Sequence, residues 1–587
     1  MTRWLSASRR WVMFTGIAFL AIAACGGKGG ADVEMDPNYV ALRNGLPTPE
    51  GLKLVSDTGE LRQGVSVEKF RGWVDLPARI AMWGGGRGNI LRGVDPWELR
   101  SQVVELEIEP GDSRIVGATV VEVVAEDSVV EGVRFGLDAD SATVGPAGVV
   151  GDWVLEDGVL EVNLDQDLVV GESVELVIEW RAENVEDVVE YFPEGGGGVL
   201  ANLVSGESTF FTTGYRFWPV PLGVRDLGQL EFAVTVPADL DLVMAGERVD
   251  VVDNGDGTRT ERWVPPGAFR GSVGLALGDY SKAVARCGAA TLEIYGLAGP
   301  SIDGFAIVPG TYAPILEDFC EAYRGWFDEV GFATVRLVGV DERFTNGFST
   351  PGLILVPNYV WDDDGSGSFA ERDFYLAHEL SHQWWGNDVT IADMRDVWLI
   401  EGMADYLAAE AIEETQSATT ALRLWLWEVQ PYLDYLAGGG QDHPLVPDSG
   451  TDMEPRVYYI KGAWVLRMLE QVIGQDDMRE LLGAARAQHP FAPIDTATFT
   501  GLAEEISGQE LDWFFEQWLS GTGVMELKAK VGSSDEGIEL EITQQGAWSE
   551  GRYYRMPLEV RLHRGKQERT ETVEIEGQAS SFNLDPL

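Results

Sequence analysis

The hydrophobic residues of this chain change period twice, and the change dictates most of its architecture. From about residue 101 to 285 the period is two. Val104, Leu106 and Ile108 alternate with Glu105, Glu107 and Glu109, and the sets Val174, Leu176, Ile178 and Phe232, Val234, Val236 keep the same spacing. Such alternation turns one face of a strand inward and leaves the other in water, as antiparallel sheets do. After about residue 290 the spacing becomes helical, in Leu316, Phe319, Tyr323 and Phe327, in Val465, Met468, Leu469 and Val472, and in Leu511, Phe514, Phe515 and Trp518. Beyond residue 523 period two returns, in Ile538, Leu540, Ile542 and in Leu558, Val560, Leu562. The fold class expected is therefore multidomain α+β. A β domain covers 101–289, a mainly helical domain with a small β portion at its start covers 290–522, and a small β domain covers 523–587. Gly and Pro interrupt every periodic run before residue 100, so 26–100 is expected to be a tether and an irregular extension.

Charge narrows the function classes. The 96 acidic residues against 43 basic ones give a formal charge of -53, which repels phosphate and excludes a basic nucleic-acid footprint. The aromatic content, 20 Trp, 23 Phe and 16 Tyr, supplies more apolar mass than a disordered chain carries.

The first 25 residues read as an address. Arg3, Arg9 and Arg10 precede an apolar run from Trp11 to Ala24, too short to span a bilayer comfortably. The run ends in Ile22-Ala23-Ala24-Cys25, which resembles a bacterial lipobox; the alternative is an ordinary signal peptide with a coincidental cysteine. The expectation is a lipoprotein signal peptide over 1–25, export, and a membrane anchor through a lipidated Cys25. Gly26-Gly27-Lys28-Gly29-Gly30 follows as a flexible link. In an oxidising compartment Cys287 and Cys320 can pair, though two buried thiols fit the sequence equally well.

The chain has five histidines, and two of them lie in His378-Glu379-Leu380-Ser381-His382. On a helix that spacing puts His378 and His382 on one face, one turn apart, where their ring nitrogens can meet one tetrahedral metal ion. Glu379 projects beside the ion without ligating it. Ser368 and Glu371 form a capping-box pattern at the predicted helix start, and Gly386 is expected to cap its end. Asp362-Asp363-Asp364-Gly365-Ser366-Gly367 reads as a solvated acidic loop, and His443, His489 and His563 as surface residues.

Eighteen residues separate His382 from Glu401, in Trp398-Leu399-Ile400-Glu401-Gly402-Met403-Ala404. This spacing resembles that of the M1 family of zinc metallopeptidases, whose best-known members are aminopeptidases. His382-Gln383-Trp384-Trp385-Gly386-Asn387 and Tyr459-Ile460-Lys461-Gly462-Ala463 resemble family segments too, as do Phe217-Trp218-Pro219 and the run from Trp513 to Leu519. The resemblance covers about 100–522 and implies an N-terminal β saddle and a thermolysin-like catalytic domain. It implies one Zn2+ per chain held by His378, His382 and Glu401, with Glu379 as general base and Tyr459 as hydrogen-bond donor to the oxyanion. Asp405, one turn after Glu401, is either an orienting partner of a ligand or a solvent-facing carboxylate. Trp384 and Trp385 are expected to pack.

The chain departs from the family in two places. The acidic residue of the family's Gly-x-Met-Glu-Asn segment is missing from Gly347-Phe348-Ser349-Thr350-Pro351-Gly352, and Ile400 stands where asparagine is usual. The first segment can still run as an edge strand that pairs with a substrate backbone. The expected activity is hydrolysis of a peptide substrate, with aminopeptidase action leading. An oligo- or endopeptidase and a non-catalytic cell-surface binding protein of the same fold are the alternatives. Oligomeric state is not legible in the sequence.

Overall fold

The computed structural model describes residues 20–23 and 97–585, apart from 127, 190–198, 213–216, 223–228, 266–272, 300–305, 345–346, 364–369, 392, 449–453, 535–536, 550 and 565–566. Cys25, the glycine link and the 26–96 stretch lie outside the described residues, as do Ser368 of the capping-box pattern and Asp364–Gly367 of the acidic loop.

The fold class read from the periodicity holds. In the first β region a seven-stranded sheet runs in the order Glu247–Asp253, Thr258–Val264, Gln229–Pro237, Trp97–Glu109, Arg114–Ala125, Ser173–Glu183, Ser141–Gly145. Val104, Leu106 and Ile108 are buried while Glu105 and Glu107 face water, as strand alternation requires. Their inward face packs on a four-stranded and a five-stranded sheet through a core that includes Phe135, Val162, Trp218 and Phe232.

The next layer is another five-stranded sheet, ordered Tyr280–Cys287, Ala290–Leu297, Thr334–Val340, Leu353–Pro357, Phe348–Thr350. The boundary expected at 289/290 thus falls inside a hairpin, whose first strand carries the same period-two signal as the preceding domain. Periodicity marks a strand but not the sheet it joins. Ala290–Leu297, Thr334–Val340 and Leu353–Pro357 pair in parallel, and Phe348–Thr350 runs antiparallel at the edge. Arg336 ties this layer to the first β region. It pairs with Glu293 at 3.0 Å and donates to the carbonyls of Met244 and Gly246 at 3.2 and 2.8 Å.

Helices cover the sheet: α1 (Ala313–Phe327), α2 (Ala370–Ser381), α3 (Glu401–Thr415), α4 (Ala418–Ala437), α5 (Gly462–Ile473), α6 (Gln475–Gln488) and α7 (Thr496–Ser507). Every residue of α3 from Glu401 to Ile412 is buried. A helix enclosed on all sides is the centre of a domain, and the other helices pack round it.

A disulfide joins Cys287, at the end of the hairpin's first strand, to Cys320 in α1. It closes a loop of 33 residues, so Cys320→Ser should lower the unfolding free energy by about 2–4 kcal/mol. Denaturant titration of both proteins in the absence of reductant measures it; coincident midpoints would remove the bond from the account of stability.

The C-terminal region is β, as its periodicity indicated. Leu527–Ser534, Gly537–Gln544 and Ala579–Leu584 form one antiparallel sheet, and Met556–Arg564 with Gln567–Ile575 form a hairpin. Leu20–Ala23, from the apolar run of the expected leader, lies parallel to Val560–His563 at the open edge of that hairpin. An unpaired strand edge is a ready partner for an extended apolar segment. Among the described residues no helix is long and apolar enough to cross a membrane.

Candidate active site

The site is built on α2 and the first turn of α3. His378 lies in the last turn of α2, and His382 is one residue past its end, its N–H still directed at the His378 carbonyl at 3.4 Å. The four-residue spacing thus survives although the helix stops between the two imidazoles. Gly386 is not the helix cap. The chain leaves α2 through the turn His382–Trp384, and Gly386, at φ 128°, belongs to the reversal beyond it.

Glu401 is the first residue of α3 and enters from the opposite side. His378 Nε2 and His382 Nε2 are 3.1 Å apart, and Glu401 Oε2 is 3.5 Å from each. All three side chains are buried. Among the described residues they form the one cluster of His, Cys, Asp or Glu able to hold a metal ion.

The protons on the rings follow from the partners. His382 Nδ1 faces the Trp385 carbonyl at 3.0 Å, and a carbonyl only accepts, so this nitrogen carries the hydrogen. His378 Nδ1 donates to Asp405 Oδ1 at 2.6 Å. With each Nδ1 hydrogen so engaged, the neutral form of each ring leaves its Nε2 lone pair for a metal, and the two nitrogens with the Glu401 oxygen make a three-donor set suited to a cation. Zinc with bonds of about 2.0–2.1 Å in tetrahedral geometry sets its ligand atoms roughly 3.3–3.4 Å apart, close to the three edges of 3.1, 3.5 and 3.5 Å. The residues fit zinc.

Of the two readings of Asp405, the structure selects the orienting partner, since it is buried against His378. Glu428 of α4 stands behind it. Complete burial, reinforced by the Asp405 charge, pushes the Glu428 carboxyl well above the ordinary carboxylate range, with His378 opposing. It shares a hydrogen bond with Asp405. Nothing in the sequence pointed to Glu428, which sits 23 residues beyond Asp405 on another helix. Removing the partner of a metal-binding histidine typically weakens metal affinity 10–100-fold. Asp405→Ala should show a loss of about that size in zinc competition against a chromogenic chelator; wild-type affinity would make Asp405 a packing residue only.

Glu379 is fully buried and lies against the backbone of Gly347. A Cβ at position 347 would sit 1.8 Å from Glu379 Oε1, so this position admits only glycine without moving the carboxylate. The segment after Gly347 does run as an edge strand, and Gln383 clasps it to α2. Gln383 Nε2 donates to Ser349 Oγ at 2.9 Å and to the Thr350 carbonyl at 3.1 Å, while its Oε1 accepts from Gly352 N–H at 2.8 Å. Asn387 adds a bond to Ser349 Oγ at 3.2 Å, and that hydroxyl reaches the Glu379 carbonyl at 3.2 Å.

Tyr459 sits in the π-helical turn Val457–Lys461, its ring stacked on His378 with centroids 6.1 Å apart and planes at 21°. Tyr458 beside it is wholly buried. Trp384 and Trp385 are core residues. Ile400 is buried at the start of α3, and its carbonyl accepts the first helical bond from Ala404 at 2.9 Å. His443 and His489 are half-buried rather than on the surface, and each ring donates from Nδ1 to a backbone carbonyl, of Pro444 and Pro493 respectively. Both bonds are local to turns whose shape the sequence does not reveal. His563 lies in the Met556–Arg564 strand.

Residues 350–518 match the Peptidase family M1 domain. Tricorn protease-interacting factor F2 of Thermoplasma volcanium is 23% identical over 267 residues, 42% of this chain and 33% of that protein. Aminopeptidase A of Gloydius brevicauda is 31% identical over 257 residues, 41% of this chain and 26% of that protein. The chain thus spans about a quarter to a third of the length of the curated relatives it matches. The crystal structure of an M1 zinc metallopeptidase from Deinococcus radiodurans superposes with a TM-score of 0.55 at 20% identity, covering 74% of this chain and 95% of that one. The His-Glu-x-x-His pair and the glutamate that follows after eighteen intervening residues thus lie inside the stretch that matches the Peptidase family M1 domain, in a chain whose fold is similar to that of an M1 zinc metallopeptidase.

Proposed function

We propose that this protein is a zinc-dependent peptidase, acting as an aminopeptidase on peptide substrates. The observation that carries this reading is the convergence of His378 Nε2, His382 Nε2 and Glu401 Oε2 next to the buried carboxylate of Glu379. The names of the relatives support it, aminopeptidase A among them.

The chemistry zinc supplies when bound is polarisation of the scissile carbonyl and a water acidic enough to attack near neutral pH. The remaining work belongs to the chain. His378, His382 and Glu401 hold the ion, and the Asp405 carboxylate and the Trp385 carbonyl fix the two rings by accepting their Nδ1 hydrogens. Glu379 takes a proton from the attacking water and returns it to the leaving amine. Tyr459 donates to the oxygen that gains negative charge. The strand Phe348–Thr350 is the edge of its sheet among the described residues, and an extended peptide backbone could add beside it.

The test is digestion of a peptide library by the purified protein with and without a chelator, followed by zinc restoration. Loss and recovery of cleavage support the reading; chelator-resistant cleavage would end it. Matched free and N-acetylated peptides distinguish the arms: preference for the free amine marks an aminopeptidase, and equal rates an oligo- or endopeptidase. Zinc well below one equivalent with no cleavage would mark a binding protein.

The protein is proposed to be exported and held at a membrane by lipid on Cys25. The basic start, the short apolar run and Ile22-Ala23-Ala24-Cys25 support this, as does a disulfide at Cys287–Cys320, of a kind that persists in oxidising compartments. Cys25→Ser should move the protein from the membrane fraction to the soluble one; an unchanged distribution would remove the anchor.

A further inference from the structure

We infer that Lys461 and Asp442 form a positioning pair that sets Tyr459 against the metal site. The inference rests on the proposed action of Tyr459 at the oxyanion.

Lys461 is the last residue of the turn that carries Tyr459, and its side chain is 1% exposed. Its ammonium donates to Asp442 Oδ2 at 3.0 Å, to the Gly521 carbonyl at 3.1 Å and to the His443 carbonyl at 3.4 Å. Asp442 in turn accepts from Tyr432 Oη at 2.8 Å and from the Gly523 N–H at 2.5 Å. Three separate pieces of chain meet here: α4 through Tyr432, the loop at 442–443, and the junction Gly521–Gly523 leading to the C-terminal β region. A buried ammonium demands this many acceptors, because an unpaired one costs far more than any single bond returns.

The turn they hold is of the π type, which is rare, appears mostly as a single turn inside an α-helix and is frequent at functional sites. Something outside the turn must fix it. On the opposite flank α3 does so by direct backbone contact. A Cβ on Gly402 would lie 2.8 Å from the Tyr458 carbonyl and 2.9 Å from Gly462 Cα. Gly402 follows the ligand Glu401 in sequence. The turn is therefore clamped between the helix that supplies the third ligand and the Lys461–Asp442 pair, with the Tyr459 ring on His378 between them. A positioned donor loses effect steeply with displacement.

A purely structural ion pair would predict lost stability and nothing more, so the experiment must separate the two. The full chain is prepared as wild type, as the charge-neutral Lys461→Met/Asp442→Asn, and with each in a Tyr459→Phe background. Zinc content, kcat and KM are measured on a peptide substrate, together with amide hydrogen exchange over residues 457–462. The expected result is a fall in kcat of about 10- to 100-fold with zinc content and KM held, and faster exchange in 457–462. In the Tyr459→Phe background the same change should cost no further kcat. Unchanged kcat and exchange in the neutral variant would overturn the inference, and so would an equal kcat loss in both backgrounds. Should the double variant not fold, Asp442→Asn alone carries the same readouts. Failure of the peptidase reading is seen separately, as an inactive wild type, and exchange over 457–462 then still decides whether the pair holds the turn.

Discussion

Glu379→Gln is expected to keep one zinc per chain and to lower kcat by about 10²- to 10⁴-fold, the usual worth of a positioned general base. The side chain is fully buried against Gly347, and glutamine has the same shape, so the contact at the helix surface survives. What is lost is the ability to accept a proton from water and pass it on. The three ligand atoms belong to other residues, so metal content should not fall. Zinc analysis and steady-state kinetics on one peptide check both halves. Full turnover in the variant would remove the mechanism, whereas loss of zinc would mean that Glu379 supports the ligands rather than the reaction.

Tyr459→Phe is the second large effect. Deleting one donor to a developing oxyanion typically costs about 10²–10³ in kcat. The ring stacks on His378 and is nearly buried, so phenylalanine fills the same volume and the fold should persist. On the proposed role, in which the hydroxyl acts as charge develops, the loss should appear in kcat with KM nearly unchanged. A rise in KM at constant kcat would instead make Tyr459 a substrate-binding residue.

The sequence by itself determined whatever is local. Strand alternation at Val104–Ile108 and the helical stripe at Leu316–Phe327 repeat at fixed intervals set by backbone geometry, so they declare their element type without knowledge of their neighbours. The spacing of His378 and His382 is legible for the same reason: one helical turn brings two imidazoles together whatever the rest of the chain does. Tertiary structure decided everything that joins distant segments. It assigned Tyr280–Cys287 to the sheet that carries Phe348–Thr350, chose the orienting role for Asp405, brought the buried Glu428 behind it, clasped the edge strand with Gln383 and anchored Lys461 on Asp442. These side chains carry no periodic signature. Each acquires its role from the burial and the partners that packing creates across long separations, such as the 60 residues between Lys461 and Gly521.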